Sequence, residues 1–475
     1  MTERTLAQHL AHFAATTRYP DLPDAVVASV GMRVLDTLGI AVAATDLETS
    51  KAATAWAREQ GGAATASAIG LDIALPPALA AFVNGVLAHS LDFDDTHLPS
   101  ILHPSASVVP AALAAAQEHG ADGRELVRGI AIGLEVCVRI GMAGFDPATK
   151  NSVFFEHGQH ATSICGAMGS AVAAAVIGGA SEEQIVDTMG IAASMASGII
   201  EANRTGGTVK RMHCGWAAHS ALSAAGLARH GITGPPTVLE GRFGFFQAWL
   251  HEPGRANEIL DGLGTEWAVP GIFFKPYPAN HFTHAAIDAG AALRARGVRP
   301  EQIEKLELGV PAANLRTIGE PIDVKRTPET GYMAQFSGPY AVVVGLLGGG
   351  GLGAALEDYT DELAKSADRR ALMAKVDVVP DPKCDAIFPH QFPAVLTATL
   401  SDGTVLVEEV LTTRGGPERS LSFDEVSTKF TSNARPFLTE VELKELAGRC
   451  DRLGDLTDIG ALLAPLTDLK STTQQ

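Results

Sequence analysis

Across residues 24–200 apolar positions return every three or four residues in one run after another, and after about residue 270 that period gives way to alternation. A chain whose hydrophobic period changes in this way has to place helices in one part of the structure and strands in another. The helical runs cover residues 24–44, 77–93, 105–118, 123–139, 160–177 and 181–200, and Ser181 with Gln184 has the spacing of a capping box. Residues 305–310 and 376–379 alternate, and 394–411 reads as two alternating runs around Asp402-Gly403, a two-residue hairpin signal. Helices are expected within this part at 284–296 and 338–347. Beyond Gly415-Gly416-Pro417 the helical grammar returns, with Ser422/Glu425 and Thr439/Glu442 at capping-box spacing.

The fold class expected from this pattern is mainly α. A large all-helical domain is built from both ends of the chain (residues 1–271 and 417–475), and a smaller α+β lid (272–416) is inserted between them. A cleft between such domains is a common place for a small-molecule site.

Composition narrows the partners. The 475 residues carry a formal charge of −18, and their 36 Lys and Arg form no basic stripe, which argues against nucleic acid. Only 6% are aromatic, so closely packed Ala-rich helices are favoured over an aromatic-lined sandwich. The five cysteines are far apart and never in C-x-x-C spacing, which points to reduced, buried thiols. No apolar run follows a basic start, so a cytoplasmic location is expected. Residues 161–180 and 340–356 approach membrane-spanning length but are broken by glycines and are read as core helices, with no membrane partner. The four glycines 348–351 lack the G-K-[ST] ending of a phosphate loop and read as a helix stop.

Chemistry concentrates in four segments. Residues 203–216 set the adjacent cations Lys210 and Arg211 among glycines and between small-residue runs, a pattern suited to the floor of an anion pocket. Residues 89–97 end an apolar helical run with Asp92, Asp94 and Asp95, followed by Thr96 and His103. These carboxylates read as a metal site, a strong general acid, a polar mouth over a cationic pocket, or a solvated helix end. The metal reading lacks a second carboxylate cluster, and the carbocation-cyclase form of the acid reading lacks aromatic faces. His160 opens a small-residue helix, where a histidine and the free N–H groups of the helix start could face an anion together, or where it could be purely structural. Residues 273–284 hold Lys275 between bulky apolar residues and a proline turn, with His281 and His284 three apart; the bland alternative is a hinge with a surface lysine. Cations with histidines and an Asp-Thr pair suit a small polycarboxylate, with His or Asp moving a proton at carbon beside a carboxylate.

At these residues the chain resembles the MmgE/PrpD family. The resemblance is carried by HSLDFDDT ending at Thr96 with His103-Pro104-Ser105, by GTVKRMHCG ending at Gly215, and by LEGRFGF ending at Phe245. It continues through Lys275-Pro276-Tyr277-Pro278 with Thr283-His284, and through AQFSGPY ending at Tyr340. It spans nearly the whole chain, and implies a helical domain with an α+β lid, a homodimer and no cofactor. By position, Asp92, Thr96, His103, His160, Lys210, Lys275 and Tyr340 look like pocket residues of the family's decarboxylase branch. Two departures stand out. Where that branch has a histidine five residues past the lid lysine this chain has Asn280, with His281 one place later, and one extra residue lies between Thr96 and His103.

The resemblance and the residues together lead to an expected cofactor-independent lyase on a small di- or tricarboxylate. His103 and His160 serve as acid and base, Asp92 and Thr96 orient them or the substrate, and Lys210, Arg211 and Lys275 clamp carboxylates. Asn280, His281 and Tyr340 complete the expected substrate contacts. Dehydration of a 2-methylcitrate-like acid is the first reaction expected. Epimerisation of an iminodisuccinate-like amino-dicarboxylate and decarboxylation of cis-aconitate are alternatives, and a non-catalytic metabolite-binding homologue is the alternative of another class.

Overall fold

The computed structural model describes residues 4–202 and 206–469, so the first three residues of the cation-bearing segment 203–216 lie outside the described residues. The chain forms two compact units. One comprises the residues up to Ile272 and from Ala434 onward, the other Phe273–Asn433.

The first unit is built on helices α1 (Leu6–Thr16), α2 (Asp24–Ala43), α3 (Glu48–Gln60), α4 (Pro77–His89), α5 (Ser105–His119), α6 (Gly123–Ala143), α7 (Ala161–Ile177), α8 (Glu182–Met195) and α9 (His213–Arg229). Small residues at the crossings decide how close these helices come. A Cβ on Gly85 of α4 would stand 2.7 Å from the Gly215 Cα of α9, and one on Gly166 of α7 would stand 2.5 Å from the Ser107 Oγ of α5. Glycine is therefore required for this approach, and it draws α4, α5, α7 and α9 into one packed group. The C-terminal end of α4 and the N-terminal ends of the other three meet there.

The unit is not purely helical, as the sequence had suggested. Ala66–Ser67 pairs with Ala74–Leu75 and Phe145–Asp146 with Asn151–Ser152, both antiparallel. Two-residue strands are too short to show a period of two, so the hydrophobic pattern passes over them.

In the second unit strands β1 (Ile303–Val310), β2 (Val376–Pro380), β3 (Ala394–Leu400) and β4 (Val405–Val410) form a sheet in the order β2-β1-β3-β4. β1 runs parallel to β2 and antiparallel to β3, and β3 and β4 form the hairpin closed by Asp402-Gly403. Helices α10 (His284–Ala295) and α11 (Gly338–Leu347) pack on each other and supply the core of this unit with Ile287, Leu293, Val342 and Val343 against Leu306, Leu396 and Ala398. α11 stops at Gly348, whose φ of 86° favours glycine and whose N–H bonds the Val344 carbonyl. The Asp358 carboxylate accepts from the Gly350 and Ala355 N–H groups at 2.8 and 2.9 Å, so the glycine run already holds an internal anion.

Helix α12 (Phe423–Ala434) is grouped with the second unit up to Asn433, where the Arg414–Glu425 ion pair ties it to the end of the hairpin. The sequence pattern placed this helix with the returning terminus, beginning at residue 417. Helix α13 (Glu440–Asp451), opened by the Thr439/Glu442 capping box, packs on α2 in the first unit, its Cys450 carbonyl lying where a Cβ on Gly31 would fall.

Among the described residues one helix, α2, is long and apolar enough to cross a membrane, and 72% of its apolar window is buried inside the fold. α7 and α11 are shorter, and their apolar residues are spent on packing.

Candidate active site

The loop of residues 90–104 between α4 and α5 holds three of the expected site residues. Its backbone is unusual, since Asp92 (φ 52°) and Ile101 (φ 55°) both sit in the left-handed region. For β-branched Ile101 this costs on the order of 1–3 kcal/mol. The turn closed by the His97–Leu102 bridge contains Ile101.

The three carboxylates of the loop go to three different partners. Asp92 faces Lys210 at 3.9 Å, the Asp94 carboxylate accepts from His89 Nδ1 at 2.6 Å, and Asp95 accepts from Arg33 Nη1 at 2.7 Å. Such divergence is the opposite of a shared metal shell. Among the described residues no three His, Cys, Asp or Glu side chains are grouped to hold a metal ion.

Asp95 organises the loop. Its side chain also accepts from the Ser105 hydroxyl and, at 3.1 Å, from the Ser105 N–H, capping the start of α5. Burial pushes the Asp95 carboxyl up and the Arg33 guanidinium down, and the contact between them opposes both shifts. Arg33 further donates to the carbonyls of Val269 and Ile272 at 3.0 and 2.7 Å.

His103 is half-buried. Its Nδ1 lies 2.6 Å from the Asp95 backbone carbonyl and 3.3 Å from Thr96 Oγ1. A carbonyl only accepts, so Nδ1 carries the proton and Nε2 of the neutral ring keeps its lone pair. His89 Nδ1 donates to Asp94, and its buried Nε2 has no hydrogen-bond partner among the described residues.

His160 stands immediately before α7 and His213 opens α9, and the two rings meet Nδ1 to Nδ1 at 2.9 Å. Ring centroids run from His213 to His160 (4.9 Å), to His89 (5.4 Å) and on to His103 (5.8 Å). Burial, then the neighbouring His89 and Lys210, hold His160 well below the ordinary imidazole value. The same causes bring His213 down to about 4. Both are neutral near pH 7.

The site in the first unit thus brings together Asp92, Thr96, His103, His160 and Lys210. Arg211 is directed to Thr49 Oγ1 at 3.2 Å. In the second unit Lys275 and His281 are buried, His281 against His284 (4.5 Å), Phe273 and Phe392. Asn280 Oδ1 caps the turn His281–Thr283 by accepting from the Phe282 N–H at 3.1 Å. The Tyr340 hydroxyl donates to the Asp358 carbonyl at 2.6 Å and accepts from Arg369 at 3.1 Å, both within that unit.

Three residues of the cluster escaped the sequence reading. His89 and His213 lie inside motifs it singled out, but each is fixed by a helix end beside the Gly85–Gly215 contact, which pattern does not reveal. Arg33 left a signal: a lone arginine inside an apolar helical run implies a buried partner.

The sequence matches the profile of the MmgE/PrpD N-terminal domain over residues 8–256 and of the MmgE/PrpD C-terminal domain over residues 277–452. It is 29% identical over 458 residues to the cis-aconitate decarboxylase of Mus musculus, covering 93% of this chain and 89% of that protein. The Homo sapiens cis-aconitate decarboxylase is also 29% identical, over 457 residues (93% and 90% covered), and that of Aspergillus terreus is 24% identical over 479 residues (96% and 95%).

Proposed function

The chain belongs to the MmgE/PrpD family, and from that premise we propose that it is a lyase acting on a small di- or tricarboxylate through proton transfer at carbon α to a carboxylate. One observation carries the reading: His103 donates its Nδ1 proton to the Asp95 carbonyl, which puts the ring's lone pair on Nε2, in a row of imidazoles that runs through His89 to His160, the last with Lys210 nearby. Lys210, together with the starts of α7 and α9, makes the surroundings favourable to a carboxylate. His103 and His160 then stand as base and acid, with Thr96 against His103 and Asp92 against Lys210.

Decarboxylation of cis-aconitate is the first substrate reading, supported by the activity that the similar proteins are named for. In that reaction the bond to one carboxylate breaks, its electron pair passes through the neighbouring double bond, and carbon receives a proton. Dehydration of a 2-methylcitrate-like hydroxy acid is the second reading. Its support is Asn280, an amide committed to a turn cap and unable to transfer a proton near neutral pH where the decarboxylase branch has a histidine. Epimerisation of an amino-dicarboxylate would use the same proton step without loss of a group.

The test is a substrate panel of cis-aconitate, 2-methylcitrate, citrate and iminodisuccinate in deuterated water, read for carbon-bound deuterium, CO2 release and dehydration. Deuterium at the carbon next to a carboxylate supports the reading, and the accompanying product assigns the reaction. Binding of these acids without exchange or turnover would instead establish a non-catalytic metabolite-binding protein.

A further inference from the structure

We propose that His160 and His213 form a two-imidazole proton relay in which His160 exchanges a proton with the substrate and His213, a positioning residue, resupplies it through the shared Nδ1 contact. This rests on the site being a proton-transfer centre.

Only one proton fits between two Nδ1 atoms 2.9 Å apart. The two neutral rings are therefore opposite tautomers, one protonated at Nδ1 and the other at Nε2. Among the described residues this contact is the hydrogen bond that each ring makes, which leaves both Nε2 atoms for substrate or water. Backbone hydrogen bonds tie both residues to their neighbours. The His160 N–H bonds the Gly198 carbonyl at 3.0 Å, and the His213 carbonyl accepts from Ser163 Oγ in the first turn of α7 at 3.1 Å.

The groups surrounding the pair are His89, His103, Lys210 and, one step further out, Asp92 and Asp94. Burial with the nearby Lys210 and His89 disfavours an imidazolium at either ring. A neutral pair can still move protons. Starting with His213 protonated at Nδ1 and His160 at Nε2, the His160 Nε2–H bond breaks and the proton forms the new C–H bond of the substrate. The His213 Nδ1 proton crosses to His160 Nδ1, and solvent protonates His213 at Nε2. One proton enters and one leaves, both rings end neutral with their tautomers exchanged, and His160 now presents a lone pair. The pair thus toggles between an acid form and a base form without acquiring charge, and a neutral imidazole is an established electrophile in other active sites.

The variant His213→Asn keeps one hydrogen bond to His160 Nδ1 but cannot pass a proton. Its solvent-deuterium incorporation should fall about 100-fold with KM essentially unchanged, and added imidazole should restore part of the rate in His213→Ala. Nitrogen-15 NMR of histidine-labelled wild-type protein should show one of the two rings protonated at Nδ1 and the other at Nε2, a readout that needs neither turnover nor a folded variant. Exchange by His213→Asn at the wild-type rate, or two rings in the same tautomer, would overturn the relay. Wild-type protein that exchanges no proton into any carboxylate would overturn the lyase reading instead, while the tautomers would still decide whether the shared proton exists.

Discussion

The Asp95 backbone carbonyl lies 2.6 Å from His103 Nδ1, while the Asp95 side chain is bound to Arg33 and to the start of α5. One residue therefore fixes both the tautomer of the candidate base and the anchorage of the loop that carries it.

Replacing His103 by Asn keeps a donor toward the Asp95 carbonyl and removes the base. The expected loss is on the order of 10²–10⁴ in kcat, with thermal stability near that of the wild type. Steady-state kinetics beside a melting curve separates the two effects. Undiminished kcat would transfer the base role to another group.

Lys210 is assigned to the substrate's charge rather than to the proton. Lys210→Met should raise KM for a tricarboxylate by about tenfold, the equivalent of one charge-assisted contact, while the solvent-deuterium pattern in the product stays the same. A change confined to kcat would contradict the clamp.

Breaking the Arg33–Asp95 pair leaves an uncompensated charge in the buried interior. Arg33→Met is expected to cost about 3–5 kcal/mol, measured by urea denaturation. The double variant Arg33→Met/Asp95→Leu should recover much of that stability but not the activity, because the His103 loop loses its anchor.

His97, brought down to about 4 by burial and then by Arg33, and His213, brought down to about 4, both lie below their ordinary 6.5. Below pH 6.5 the unfolded chain binds protons that the folded chain refuses until about pH 4, so the stability these rings contribute is whole above 6.5 and is lost as pH falls through that window. Denaturation midpoints between pH 7 and 4 should slope less steeply in His97→Gln than in the wild type. Parallel slopes would mean that His97 titrates normally.

The Gly85–Gly215 approach sets the His89 and His213 helix ends against each other. Gly85→Ala places a methyl group against backbone and should destabilise by about 1–3 kcal/mol or more. It should also weaken the His160–His213 contact, visible as a change in the histidine nitrogen-15 shifts.

Much of this was legible in the sequence because it is local. The helical period of 160–177, the capping boxes at Ser181 and Thr439 and the Asp402-Gly403 hairpin depend on residues a few positions apart, and each corresponds to an observed element, while the period of 77–93 corresponds to a helix that already stops at His89. The clustering of Asp and His at 89–103 and of cations at 210–211 was visible for the same reason. What the sequence could not state is direction. Asp92, Asp94 and Asp95 are equivalent as letters, yet in the fold they face Lys210, His89 and Arg33. Arg211 is as charged as Lys210 but turns toward Thr49. His213 becomes the partner of His160 only because small residues bring α7 and α9 together, across 53 positions of chain. The sequence by itself determined which elements form and which chemical groups are available. Only the tertiary structure decided which groups share a proton, because tautomer and ionisation depend on partners within about 3 Å and on burial, and both are properties of the packed helices rather than of any one segment.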